Sequence, residues 1–334
     1  MKLIIQIPCY NEEGTLGITL AGLPRQVPGF DEVEWLVIDD GSGDGTVGVA
    51  KEGGVDHIVR HTRNQGLARA FMTGLDACLR LDADVIVTTD ADNQYNAADI
   101  PALTAPIVEH RADIVVGTRP IETIAHFSLA KKMLLKLGSW VVRRVSNTDI
   151  PDAPSGFRAI SRTAAQQLMV FNDYTYTLET IIQAGQKNMA ITWVPVRVNE
   201  KLRPSRLMRN IPSYIWRAVS TIVRIFVIYR PFRFFGTIAA VLAIPGVVLG
   251  ARYLWFLAQH QEGGHVQSLI LAAILLVSGF TTLLVAFLAD LLAANRKMMD
   301  EIRFRLRLER NEATVVGRTS SEETAIKPRS DKAS

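Results

Sequence analysis

Asp90 and Asp92, with the amide of Gln94 two positions further on, are the side chains of this sequence best suited to hold a divalent cation. They follow the run Val85-Ile86-Val87-Thr88-Thr89, so oxygen donors gather where a buried strand would surface. Hard oxygen ligands of this kind suit Mg2+ or Mn2+ in six-coordination. A cation so held acts as a Lewis acid and stabilises charge on a departing phosphate. The competing reading makes Asp90 and Asp92 caps of a helix beginning near Asp99, but they lie too far from it.

The elements that must position this set alternate regularly. Lys2 to Ile7, Trp35 to Ile38, His57 to Val59, Val85 to Thr88 and Asp113 to Val116 read as strands. Glu12 to Leu23, Thr46 to Lys51, Leu67 to Leu79 and Asp99 to Glu109 read as helices. That order predicts a parallel sheet covered on both faces, with ligands outside the carboxyl ends of the strands. Four polar segments follow strands: Pro8 to Glu12, Asp39 to Thr46, Arg60 to Gly66, and the Asp90/Asp92 pair. All four are expected to face one crevice.

From Ile121 to Arg209 the pattern is less regular. Ala130 to Val145 reads as a basic amphipathic helix, Ser155 to Arg158 as a turn-like insert, Tyr174 to Ala184 as a helix and Ala190 to Val198 as a last strand. Asn210 to Arg230 then sets Trp216, Ile222, Ile225 and Phe226 against Arg217, Arg224 and Arg230, the composition of a helix lying in a bilayer interface. Uncharged runs follow from Phe234 to Ala251 and from Val266 to Ala289, each long enough to span a hydrocarbon core of about 30 Å. With their flanks they predict spans over about 234–257 and 266–289 within 233–294.

Apolar residues make up 48% of the 334, and the excess lies after Phe232. The net charge of +4 could suggest nucleic acid, but the cations are clustered. Between Arg197 and Arg233 nine Arg or Lys residues face one acid, Glu200, and a second basic block runs from Arg296 to Arg310. Both flank the apolar runs, so an anionic membrane surface is the simpler partner and nucleic acid is not expected. The link with Gln259, His260, Glu262 and His265 has no Lys or Arg, which puts the long polar parts and both termini on the cytoplasmic side. Arg252 and Asp290 read as interfacial anchors, Pro245 with Gly246 as a kink, and Asn311 to Ser334 as a disordered tail. Cys9 and Cys78 lie in core-like runs with no zinc or disulfide spacing, and His57, His61, His110 and His126 have no metal-ligand spacing. The first apolar run, Leu3 to Ile7, is too short for a signal sequence.

Together the segments I-P-C-Y-N-E-E (Ile7 to Glu13), I-D-D-G-S-G-D-G-T (Ile38 to Thr46), R-N-Q-G-L-A-R-A (Arg63 to Ala70), T-D-A-D-N-Q (Thr89 to Gln94), G-T-R (Gly117 to Arg119), S-G-F-R (Ser155 to Arg158) and R-P-S-R (Arg203 to Arg206) resemble the family 2 glycosyltransferases of GT-A fold. Their order, with two spans behind them, is similar to the polyprenyl-phosphate branch of that family. The resemblance covers about residues 1–210 and departs from the branch at Arg206, where a lysine often stands. It implies a Rossmann-like α/β domain over 1–209 with a mostly parallel sheet, an interfacial helix over 210–232, a transmembrane hairpin, and a basic helix and tail over 295–334.

The resemblance also implies roles. Asp90, Asp92 and Gln94 would hold Mg2+ or Mn2+; Pro8, Tyr10, Glu12, Asp39, Asp40, Gly66 and Arg69 would bind a nucleotide-sugar, with Arg63 in the segment closing over its diphosphate. Arg119, Lys131, Lys132, Ser155, Arg203, Ser205 and Arg206 would draw a lipid phosphate from the membrane, and Arg119 and Arg203 join Asp90 and Asp92 as catalytic candidates. The bland readings are a helix cap for Asp44 and Thr46, a solvated helix face for Arg69, and a lipid-touching basic face for Lys131, Lys132, Arg143 and Arg144. The expected reaction is inverting transfer of one sugar from a UDP- or GDP-sugar to dolichyl or undecaprenyl phosphate. Such a phosphate is already anionic, so no general base is needed. Two alternatives remain: a processive polysaccharide synthase, which would show Q-x-x-R-W and more spans, and a non-catalytic scaffold that keeps the domain. Two spans cannot bury each other fully, which favours a homo-oligomer.

Overall fold

The computed structural model describes residues 1–120, 138–140, 142–170, 176–200, 220, 223–224, 226–259 and 266–325. The chain divides into two compact units, residues 1–210 with 302–334, and residues 211–301.

The first unit is built on seven strands: β1 (Lys2–Cys9), β2 (Glu32–Asp39), β3 (His57–Arg60), β4 (Val85–Thr88), β5 (Ile114–Thr118), β6 (Arg158–Ser161) and β7 (Ile191–Pro195). They form one sheet in the order β3-β2-β1-β4-β6-β5-β7. β1 and β4 are apolar and buried almost throughout, as central strands covered on both faces must be. Helices α1 (Glu13–Gly22), α2 (Thr46–Glu52), α3 (Leu67–Arg80), α4 (Ile100–Val108), α5 (Arg162–Gln167) and α6 (Thr177–Gln186) connect and cover them. α3 buries Ala70, Phe71, Gly74, Leu75, Cys78 and Leu79, one stripe at helical spacing.

The sheet is mostly parallel, as the resemblance implies, and one strand departs from the parallel pattern of the alternation. β6 runs antiparallel to both β4 and β5, inserted between them. The segment that reads as a turn-like insert therefore ends inside a buried strand, because Phe157 and the Ala159-Ile160 pair are core residues on either side of Arg158.

The second unit holds α7 (Pro231–Ala258) and most of the apolar part of α8 (Val266–Ala325). α7 has 28 residues and mean hydropathy 2.1, and Val266–Arg296 has 31 residues and mean hydropathy 2.5. Both are long and apolar enough to cross a membrane. They pack through small residues: a Cβ on Gly279 would meet Ala243 at 3.0 Å, and one on Gly246 would meet Leu276 at 3.0 Å. Phe232 meets Phe287 edge-on at 5.2 Å. α8 continues to Ala325, where a disordered tail is expected from Asn311. No proline interrupts the chain between Val266 and Pro328, and the charged residues past Arg296 are of both signs. The helix expected over 130–145 and the interfacial helix over 210–230 fall largely outside the described residues.

Helix α3 approaches the sheet at Gly74, where an added Cβ would overlap Gln6 Oε1 and lie 2.8 Å from Ile38 Cδ1. Gly74→Ala is expected to cost about 1–3 kcal/mol through overpacking, read as a lowered unfolding midpoint of the full chain in detergent. An unchanged midpoint would contradict this packing.

Candidate active site

The parallel register brings the carboxyl ends of β1 to β4 together. Cys9 pairs with Asp39, Asp39 with Arg60, and Gln6 with Thr88. The four polar loops therefore leave the sheet at one edge, beside the point where successive connections diverge from β1.

The first two loops are zipped together. Asn11 N–H donates to Ser42 Oγ at 2.9 Å, Gly43 N–H to Asn11 Oδ1 at 2.9 Å, and Glu12 N–H to Thr46 Oγ1 at 2.9 Å. Asp44 accepts from the Thr46 amide at 3.1 Å, the helix-cap role that its spacing predicts. Burial would raise the Asp44 pKa, but hydrogen bonds from Thr46 and Glu13 outweigh it and hold the carboxyl below its ordinary value. Tyr10 is 42% exposed at the loop, whereas Pro8 is buried within β1 instead of standing in the loop. Glu12 is buried and accepts from Thr15 Oγ1 at 2.7 Å.

Asp39 and Asp40 serve the backbone. Asp39 is fully buried, accepts from the Ser42 amide at 3.0 Å and pairs with Arg60 Nε at 2.9 Å. Asp40 accepts from the Gln65 and Gly66 amides, both at 2.8 Å, and lies 2.7 Å from His61 Nδ1. His61 Nε2 is 3.0 Å from Thr73 Oγ1. Three of about four acceptor positions of Asp40 are thus taken by the chain itself, where the sequence suggests an acceptor for base or ribose. Two glycines make this possible. Gly41 has φ +73, and a Cβ there would lie 2.5 Å from the Arg63 carbonyl carbon; Gly66 has φ +91 where it starts α3. Arg63 and Arg69 are exposed at either side of Gly66.

At the end of β4, Asp90, Asp92 and Gln94 are half-buried, and Asp92 Oδ1 accepts from the Gln94 amide at 3.1 Å. The Asp90 carboxylate faces Gly156: a Cβ on that glycine would lie 3.2 and 3.3 Å from its two oxygens. The Gly156 peptide is itself held, its N–H donating to Tyr95 Oη at 3.0 Å and its carbonyl accepting from Tyr176 O–H at 3.2 Å. Burial, followed by the Asp90 charge, raises the Tyr176 hydroxyl pKa, so it stays a donor.

Two buried arginines complete the surroundings. Arg119 forms a fork onto Asp152, Nε to Oδ2 at 2.8 Å and Nη2 to Oδ1 at 3.0 Å, and its own amide donates to Oδ2 at 3.1 Å. Burial alone would lower its pKa, but Tyr95, Asp152 and Asp90 hold it above the ordinary arginine value. Arg158 is fully buried, and burial pushes it down to about 10. It donates to the carbonyls of Ser155 at 2.9 Å and Ala153 at 2.8 Å and to Thr180 Oγ1. These bonds brace the loop that presents Gly156.

The structure therefore gathers Tyr10, Glu12, Asp39, Asp40 and Gly66 around the first three strand ends, and Asp90, Asp92, Gln94, Arg119 and Ser155 around the fourth. Arg119 is not an unpaired surface cation, because Asp152 takes its fork; Ser155 is fully buried, with its hydroxyl beside that of Tyr95. Lys131, Lys132, Arg203, Ser205 and Arg206 lie outside the described residues. His61, Asp152, Tyr95 and Tyr176 escape a reading of the sequence, since each acts on residues distant in the chain. Arg158 carried a signal: an arginine amid Phe157 and Ala159-Ile160 must be buried and paired.

Among the described residues no three His, Cys, Asp or Glu side chains converge as a closed metal site. Two carboxylates and an amide in an open setting nevertheless fit Mg2+ or Mn2+, which keep waters and take phosphate oxygens from a substrate.

Asp152→Ala would leave the Arg119 charge buried without its partner. A loss of about 3–5 kcal/mol is expected, read from the unfolding midpoint; a loss below about 1 kcal/mol would contradict a buried pair.

The sequence model described as Glycosyl transferase family 2 matches residues 4–169. UDP-N-acetylglucosamine–dolichyl-phosphate N-acetylglucosaminyltransferase of Methanococcus voltae is 29% identical over 219 residues, 59% of this chain and 85% of that protein. Undecaprenyl-phosphate mannosyltransferase of Micrococcus luteus is 27% identical over 211 residues, 60% of this chain and 85% of that one. The fold is similar to that of glucosyl-3-phosphoglycerate synthase from Mycobacterium tuberculosis, solved with Mn2+ and UDP, at TM-score 0.52 and 18% identity over 68% of this chain and 78% of that one. This chain is a glycosyltransferase built on a glycosyl transferase family 2 domain.

Proposed function

We propose that the protein transfers a single sugar, with inversion, from a UDP- or GDP-sugar to a polyprenyl phosphate at the cytoplasmic membrane face. The observation that carries this reading is the Asp90 carboxylate held against the clamped Gly156 peptide, at the strand edge where the Tyr10 and Asp40 loops also open. The polyprenyl-phosphate acceptors named for the relatives and the two long apolar helices support the acceptor class.

In this reading Tyr10 packs on the base, and Glu12 and the free acceptor position of Asp40 receive donors from base or ribose. The Asp40 clamp on the Gln65 and Gly66 amides sets the loop that brings Arg63 to the diphosphate, and Arg69 follows on α3. Asp90, Asp92 and Gln94 hold Mg2+ or Mn2+, the ions that suit their oxygens. The ion, when bound, supplies Lewis-acid stabilisation of the departing diphosphate. Arg119, oriented by Asp152, offers its remaining N–H groups to the incoming phosphate. Arg203 and Arg206, with Lys131, Lys132 and Ser205, gather that phosphate from the bilayer surface. Because the acceptor arrives charged, no side chain need remove a proton, and alignment of two anions is most of the catalysis. The catalytic domain and both termini are cytoplasmic in this reading, which the basic flanks of the two apolar helices support.

Two outcomes follow for the purified full chain. The lipid-linked product of an α-linked donor should carry the sugar in β configuration by NMR, and retained α configuration would overturn inversion. Asp92→Asn should lower kcat/KM at least about 100-fold, since several kcal/mol of charge stabilisation depend on the cation. Unchanged turnover would remove Asp92 from the site.

A further inference from the structure

We propose that Asn199 is a positioning residue for the loop that carries Asp92 and Gln94, setting the affinity of that loop for its cation. The inference rests on the proposed cation site. Asn199 lies outside every motif that points to the reaction, yet its side chain bonds two residues of this loop. Its Nδ2 lies 3.1 Å from Asn93 O, 3.3 Å from Asn93 Oδ1 and 3.2 Å from Tyr95 O. Its backbone N–H donates to Gln94 O at 3.0 Å. One residue thus bonds the carbonyls of 93, 94 and 95 in succession.

The strap around Asn199 is itself fixed. Val198 pairs with Tyr95 in an antiparallel bridge, and Asn96 N–H donates to Arg197 O at 3.3 Å. Arg197 is held in turn by Asp99, through its amide at 2.7 Å, Nε at 2.9 Å and Nη2 at 2.6 Å. The loop turns at Asn93, which sits at φ +55, a left-handed region that asparagine enters more readily than other residues with a Cβ. Asp92 and Gln94 stand on either side of that turn. Without the Asn199 amide, the turn loses the donor that holds it, and the two oxygen ligands lose their common geometry. Residues that orient ligands in this way change metal affinity by about 10–100-fold without touching the ion.

The test uses the full chain in detergent, titrated with Mn2+ in the presence of UDP and, separately, GDP, followed by thermal stabilisation and by Mn2+ water-proton relaxation. For Asn199→Ala the Mn2+ midpoint should rise about 10-fold or more, while the unfolding midpoint without metal moves little. Asn199→Asp keeps the shape and removes the N–H donors, so it should behave as Asn199→Ala does; turnover of both should recover at high Mn2+. If either variant folds and its Mn2+ midpoint equals that of wild type, or if only the metal-free unfolding midpoint falls, the positioning role is overturned. If wild type itself shows no Mn2+-dependent nucleotide binding, the cation site falls and this inference with it, an outcome separate from a variant-specific failure.

Discussion

A carboxylate at the end of a buried strand must be solvated, paired or given to a metal, and the surroundings of Asp90 set it against a fixed peptide. The Gly156 peptide lies against it, clamped by two tyrosine hydroxyls, and Arg119 raises the local positive potential while its fork stays committed to Asp152. In the proposed reaction a carboxylate so placed meets the cation that the phosphates of the donor bring with them. The cost of burying Arg119 and Arg158 nearby is offset by the Asp152 carboxylate that takes the Arg119 fork and by the Ser155 and Ala153 carbonyls and the Thr180 hydroxyl that accept from Arg158.

The first three strand ends follow a different physical rule. There the carboxylates of Asp39 and Asp40 bind backbone amides and neighbouring cationic or imidazole groups, which fixes loop geometry before any ligand binds. Tyr10, Arg63 and Arg69 are exposed on this rigid base. A preorganised backbone under exposed side chains suits the charged donor and diphosphate of the proposed reaction.

Much of this was legible in the residues alone, for identifiable reasons. β1 and β4 announce themselves as unbroken apolar runs, and the polar segments after them mark the ligand edge. β6 was hidden because it opens on Arg158 and closes on Ser161, which leaves only Ala159-Ile160 as an apolar signal. The Asp152 partner of Arg119 and the Asn199 brace were hidden for another reason: each contact joins segments 33 or about a hundred residues apart, and only the sheet order brings them together. The clamping role of Asp40 is not legible in the sequence, since an acidic side chain beside glycines suits a ligand and a backbone amide equally well.

Sugar nucleotide, cation and lipid phosphate are joined most directly by one measurement. The purified full chain is incubated with radiolabelled UDP- and GDP-sugars, Mn2+ and a polyprenyl phosphate, and label is followed into the organic phase. With one of the donors the label should enter the organic phase in an acid-labile lipid-linked monosaccharide, and it should stay in water when Mn2+ is chelated or when polyprenol replaces the phosphate. Label recovered as a water-soluble polymer, or transferred equally well to polyprenol, would contradict transfer to an already charged acceptor.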